Sequence, residues 1–163
     1  MHLKIEIRRF VAALFVLLFF AVTATAAEKG PVKPSAEEKC PVCGMFVAKY
    51  PDWTAQVRFT DEKTVFFDGA KDLFKFYFDI GHYQPKRSAA DVGAVYVTDY
   101  YTLEPIRARD AFFVVGSNVY GPMGRELIAF AAEEQAREFM RDHRGRKILR
   151  FDAVSPEIVR SLD

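Results

Sequence analysis

Two thiols and a thioether fall within six residues, in Cys40-Pro41-Val42-Cys43-Gly44-Met45. Thiols separated by two residues can reach the same small object, either a metal ion or each other. Pro41 restricts the backbone between them, and Gly44 lets the chain turn close to whatever they hold. Thiolate and thioether donors are soft and select Cu(I) over hard cations. A further thioether, Met123, stands in Gly121-Pro122-Met123-Gly124, where proline and glycine prescribe a turn. A methionine in a periodic apolar stripe, such as Met140, fills a core. Met123 has no such stripe around it, so packing into a groove and metal ligation both stay open.

The dithiol has other uses open to it. Structural zinc asks for four protein ligands, and without a second cysteine pair His82 and His143 would have to complete the set. An all-thiolate iron–sulfur cluster needs more cysteines than the two present. Thiol–disulfide chemistry favours a helix N-terminus that lowers one thiol pKa, and the Gly-Met-Phe-Val-Ala after Cys43 opens a helix poorly. A disulfide across so short a loop adds little, since the benefit grows with loop length. Ser88 and Ser117 have no triad partners in view, and Gly116, Gly121 and Gly124 do not form a phosphate loop. Hydrolase and nucleotide-enzyme readings fall away, and the chain is not read as an enzyme.

The elements that must position these groups follow from periodicity. Thr54–Phe59 alternates as a strand, with Ala55, Val57 and Phe59 on one side and Gln56 and Arg58 on the other; 60–63 is a turn and 64–68 the second arm of a hairpin. Asp68 then stands where a helix N-cap is expected. Over 69–80, Leu73, Phe74, Tyr77 and Phe78 recur at helical spacing, with Lys71, Asp72, Lys75 and Asp79 on the other face. A short strand follows at 93–97. Ala111–Val115 is a continuous apolar run suited to a strand covered on both sides, and 116–124 is irregular. A strand at 126–130, a helix at 133–143 and a strand at 147–151 complete the order. The order reads β-β-α-β twice. The fold class is α+β: two similar ββαβ-like units with small antiparallel or mixed sheets and two main helices, a single sheet under two helices being the alternative.

Of the 163 residues, 50% are hydrophobic and 28% charged, which excludes a disordered chain and a polytopic membrane protein. Lys4, Arg8 and Arg9 precede an apolar run from Phe10 to Val22 and an Ala24-Thr25-Ala26 end. That pattern predicts a signal peptide over 1–26, with a retained anchor as the alternative and no lipid-attachment cysteine beside the cleavage point. Three of the 23 Lys+Arg and one of the 22 Asp+Glu lie in it, so the formal charge of +1 becomes −1 in the remainder. Such a balance gives no electrostatic case for a nucleic-acid partner. Residues 27–39, with Gly30, Pro31 and Pro34, read as a flexible tether, 40–152 as the folded domain and 153–163 as a polar C-terminal tail with weak helical character from Ser155.

The Cys-Pro-Val-Cys-Gly-Met segment, the Gly-Pro-Met-Gly-Arg-Glu-Leu-Ile-Ala-Phe segment at 121–130 and the Glu-Glu-Gln-Ala-Arg-Glu-Phe helix at 133–139 stand in the order found in the NosL family. The chain resembles that family over about 38–152. The resemblance implies an exported, periplasmic, Cu(I)-binding accessory protein or metallochaperone. It would pass copper to a copper-dependent enzyme, nitrous oxide reductase in the family's case, or to another copper carrier, and stay outside the membrane after cleavage. It also implies Met123 as a ligand, with Cys43 foremost among the others and Cys40 and Met45 next. Two departures stand out: the absent lipoprotein cysteine, and the lack of any histidine in 27–81. A periplasmic thiol–disulfide protein and a zinc- or disulfide-stabilised interaction domain are the rival readings.

Overall fold

The computed structural model describes residues 30–163. The expected signal peptide at 1–26 and the first residues of the tether lie outside the described residues. Among the described residues no helix is long and apolar enough to cross a membrane.

The fold is α+β, with every strand pair antiparallel. The expected hairpin forms from β1 (Ala55–Phe59) and β2 (Thr64–Phe67), with Ala55 opposite Phe67 and Arg58 opposite Thr64. β3 (Val92–Thr98) pairs with the other edge of β1, and β4 (Pro105–Arg107) pairs with β3. β4 was not expected: three residues beginning at a proline carry too little pattern, and only the neighbouring edge makes them a strand. Helix α1 (Ala70–Phe78) runs between β2 and β3 and is followed by the short α2 (Ile80–Tyr83).

The second sheet is centred on β5 (Phe112–Val115), between β8 (Ile128–Phe130) and β9 (Lys147–Arg150). Between β5 and β8 the irregular segment folds into a small hairpin of β6 (Tyr120–Gly121) and β7 (Gly124–Arg125). Helix α3 (Glu133–Asp142) joins β8 to β9. The apolar run of β5 is covered on both sides, as its sequence predicts. Phe113, with its partners Ala129 and Leu149, faces the main core, while Val114 packs with Ile128, Phe130, Ala136 and Phe139 beneath α3.

Helix α1 departs from a simple amphipathic reading. Its Phe76 meets Phe67 of the first sheet at 5.1 Å between ring centroids, and its Phe74 meets Phe113 of the second at 5.3 Å. A helix packed against both sheets cannot keep a wide polar face. Lys71 and Asp72, expected outside, are each 3% exposed, whereas Phe78, expected inside, is exposed. Leu73, Phe74 and Phe76 are completely buried, each stabilising the fold by about 1.5–3 kcal/mol.

Both terminal expectations need correction over the described residues. Val32 donates to and accepts from the Gln56 side-chain amide at 3.1 Å, and the Gly30 carbonyl accepts from Arg58. The segment expected as a tether thereby covers the outer face of β1 and buries Gln56 and Arg58. The weak helical character of the expected polar tail is realised as α4 (Pro156–Arg160), whose Ser155 cap accepts from the Ile158 N–H, and what departs from the expectation is its docking. Val154, Val159 and Leu162 are buried in the main core, and α4 packs on α1. Sparse apolar residues at near-helical spacing carry that contact, and average polarity hides it.

Candidate metal centre

The dithiol sits on a tight turn. The Gly44 N–H donates to the Cys40 carbonyl at 2.8 Å and the Cys40 N–H to the Met45 carbonyl at 2.9 Å, while Lys39 and Phe46 pair as a bridge just outside. Gly44 has φ +79°, a conformation glycine adopts without penalty. The turn aims backbone N–H groups of Val42 and Cys43 at the Cys40 sulfur, and that of Met45 at the Cys43 sulfur. Such donors favour thiolates. Cys40 is buried and Cys43 half-buried, and both are free thiols. No α-helix opens after Cys43; a single 3₁₀ turn at Val47–Lys49 follows.

The rest of the site comes from the start of α1. Asp68 is not the helix cap; Gly69 occupies that position. The capping acceptor is the Glu126 carboxylate, which takes the Lys71 N–H at 2.5 Å and the Leu127 N–H at 2.8 Å. A Cβ on Gly69 would lie 2.2 Å from Glu126 Oε2, so a side chain there would have to displace this carboxylate. Asp68 is thereby left for the sulfurs. The Cys43 thiol donates to Asp68 Oδ1 at 3.1 Å, and the Cys40 thiol to Asp72 Oδ2 at 3.3 Å. One ligand atom from each of Cys40, Cys43, Asp68 and Asp72 lies within 4.8 Å of all the others, an arrangement able to coordinate a metal ion. Asp68 Oδ2 is buried without a hydrogen-bond partner. An unsatisfied carboxylate oxygen costs about 1–3 kcal/mol or more, and a cation placed beside it removes that cost.

The electrostatics of the pair follow from this burial. Desolvation pushes the Cys40 thiol far up, and Asp68 and Asp72 add to the shift. Cys43 is pushed up to about 12, first by burial and then by the same carboxylates, against the Met45 N–H. Without an ion both sulfurs are protonated donors, the opposite of an activated redox thiol.

Met45 shares the turn and is half-buried. Met123 and Pro122 form the tip of the β6–β7 hairpin, and the Met123 side chain is 43% exposed. Its main chain is tied to α1, because Lys71 Nζ donates to the Met123 carbonyl at 2.8 Å. The structure therefore joins Cys40 and Cys43 in one cluster and brings the Met123 turn to the helix turn that carries Asp72. His82, stacked edge-on to Tyr83, and His143, against Phe139 at 4.3 Å, belong to other contacts. Sequence reasoning missed Asp68 and Asp72. Their spacing of four across a helix start was the available signal.

Glu126 gives a test of the local architecture. Burial pushes its carboxyl from 4.5 up to about 8, against the pull of the Leu127 and Lys71 N–H groups. The folded protein then holds a proton that the unfolded chain has released, so stability is full below about 4.5 and falls as pH rises toward 8. The slope is up to about 1.4 kcal/mol per pH unit. Glu126→Gln keeps the carbonyl acceptor and removes the titration. Urea unfolding at pH 5 and pH 8 should show the wild type losing more stability than the variant; equal losses would mean Glu126 is ionised in the fold.

A NosL family profile matches residues 31–159. Over 162 residues the chain is 31% identical to the copper-binding lipoprotein NosL of Stutzerimonas stutzeri, spanning 90% of this chain and 80% of that protein. Among solved structures it is similar to the crystal structure of the copper chaperone NosL from Shewanella denitrificans. That match has a TM-score of 0.69 and 28% identity, covering 79% of this chain and 98% of that one.

Proposed function

The chain belongs to the NosL family, and from that membership we propose that it is an exported Cu(I)-binding accessory protein or metallochaperone. The observation that carries the reading is the cluster of two thiols and two carboxylates with one carboxylate oxygen buried and unpartnered. Copper, named in both relatives, is the cargo that the soft donors favour. The proposed ligands are Cys40 and Cys43 as thiolates and Met123 as thioether, with Met45 supporting an alternative arrangement. Asp68 and Asp72, which accept the thiol hydrogens in the free protein, orient both sulfurs.

Capture requires both thiol protons to leave, and the N–H groups of the turn then face the new thiolate charge. Delivery requires a ligand that can let go. The exposed Met123 suits that step: an incoming soft ligand from a copper enzyme or another copper carrier replaces the thioether first and the thiolates afterwards. Nitrous oxide reductase is the recipient that the family resemblance suggests. The two sheets favour a duplicated architecture as well. The orders β2-β1-β3 and β8-β5-β9, each with a helix before its last strand, support reading the fold as two ββαβ units. The cleaved signal at 1–26 and the periplasmic location belong to the same proposal.

Anaerobic titration of the reduced protein against a competing Cu(I) chelator, with Zn(II) alongside, tests the reading. One Cu(I) per chain is expected, preferred over Zn(II), and Met123→Ala should weaken it by about 100-fold or more, as the loss of one ligand implies. Equal or better Zn(II) binding, unaffected by Met123→Ala, would return the site to the structural-zinc alternative and Met123 to a surface turn.

A further inference from the structure

Lys71 sits on the helix turn of the cluster and reaches the Met123 hairpin segment through its side chain and its main chain alike. It is 3% exposed. Its Nζ donates to the Met123 carbonyl at 2.8 Å and to the Leu162 carbonyl at 3.3 Å, and lies 3.5 Å from Asp163 Oδ1. Its backbone N–H goes to Glu126, one residue beyond β7. The hairpin is therefore held at its tip by the Lys71 ammonium and at its base by the Glu126 carboxylate. Two glycines make room for the second tie: a Cβ on Gly121 would come within 3.1 Å of Glu126 Cγ, and one on Gly69 within 2.2 Å of Oε2.

An ordinary two-residue hairpin at the surface does not need a buried ammonium at its tip. Burying a lysine head costs several kcal/mol unless hydrogen bonds replace its water. Here those bonds go to the carbonyl of Met123 itself and to the last turn of the chain. Lys71 also lies between Asp68 and Asp72 in sequence, so any shift of its helix turn moves both carboxylates that hold the thiols.

We infer that Lys71 is a positioning residue for copper binding, fixing the turn that carries the Met123 thioether against the Cys40, Cys43, Asp68 and Asp72 cluster. The inference rests on Met123 being a ligand, as proposed above. Lys71 itself is not a ligand: its ammonium has no lone pair to give and points at carbonyl oxygens. A preformed thioether removes the need to order the hairpin when copper arrives, and removal of supporting contacts around a metal costs about 10–100-fold in affinity.

The test is a double-mutant cycle of Lys71→Leu with Met123→Ala, read by Cu(I) affinity and by the number of sulfur scatterers in X-ray absorption. Leucine is chosen because methionine would add a new thioether beside the site. Lys71→Leu alone should weaken Cu(I) binding about tenfold and lower the sulfur count by one. In the Met123→Ala background it should change neither. Should leucine prevent folding, Lys71→Gln, which keeps a donor but falls short of the carbonyl, should give the same pattern to a smaller degree. Equal losses in both backgrounds, or an undiminished sulfur count in Lys71→Leu, would overturn the inference and leave Lys71 a structural residue. Failure of the ligand assignment looks different, since Met123→Ala alone would then change neither affinity nor sulfur count.

Discussion

Replacing both Cys40 and Cys43 by serine is expected to weaken Cu(I) binding by about four orders of magnitude while leaving a folded protein. On the scale of a four-ligand structural zinc site, about 10–16 kcal/mol, each ligand is worth about 2.5–4 kcal/mol. At 1.4 kcal/mol per decade, two lost thiolates amount to four decades or more. Stability responds differently. Serine at 40 keeps a hydroxyl that can donate to Asp72, and serine at 43 one that can donate to Asp68, as the thiols do now. The cost of each exchange in the fold should stay within about 0.5–3 kcal/mol, the ordinary range for a point change. Urea unfolding of the metal-free proteins beside the anaerobic titration separates the two quantities. A variant that unfolds readily yet binds Cu(I) as the wild type does would assign the cysteines to a structural knuckle. Selective loss of copper affinity assigns them to the cargo.

What was readable in the chain divides along the range of the interactions involved. The β1–β2 hairpin, α1, β5, β8, α3 and β9 rest on local periodicity, and each lies where the alternation or the 3.6-residue repeat places it. The dithiol turn is equally local, since Gly44 and the two cysteines interact within six residues. The carboxylate half of the site is not. Asp68 looked like a helix cap because Asp before a helix usually is one. It was displaced from that role by Glu126, 58 residues on, whose carboxylate occupies the space that a side chain at Gly69 would take. Lys71 and Asp72 looked solvent-facing because helical spacing puts them opposite the Leu73, Phe74, Tyr77 and Phe78 stripe. Contacts distant in sequence cover them: the Met123 carbonyl and the Leu162 turn lie over Lys71, and the Cys40 thiol lies on Asp72. The same kind of error made 153–163 a tail, where Val159 and Leu162 dock on the main core. A resemblance resting on two separated motifs put Met123 forward as a proposed ligand, which no periodicity could have done.

Copper affinity should also rise steeply with pH, by about a hundredfold for each unit between pH 6 and 8. Cys43 is pushed up to about 12 and Cys40 further up, by burial first and by Asp68 and Asp72 next, so both thiols carry their protons throughout that range. A thiolate is the ligand, so each sulfur that binds must release one proton. Each displaced proton contributes a factor of about ten per pH unit, and two contribute about a hundred. The sign is fixed by the direction of the shift: raising pH lowers the work of deprotonation, so binding strengthens upward and weakens toward acid. Titration at several pH values, against a Cu(I) chelator whose own protonation is known, gives the slope of log K against pH. A slope near two places both sulfurs on copper as thiolates. A slope near one leaves a single thiolate, with Cys43, the more exposed of the pair, as the ligand and Cys40 retained as a thiol on Asp72. A flat profile removes the thiols from the coordination sphere and with them the proposed mode of capture.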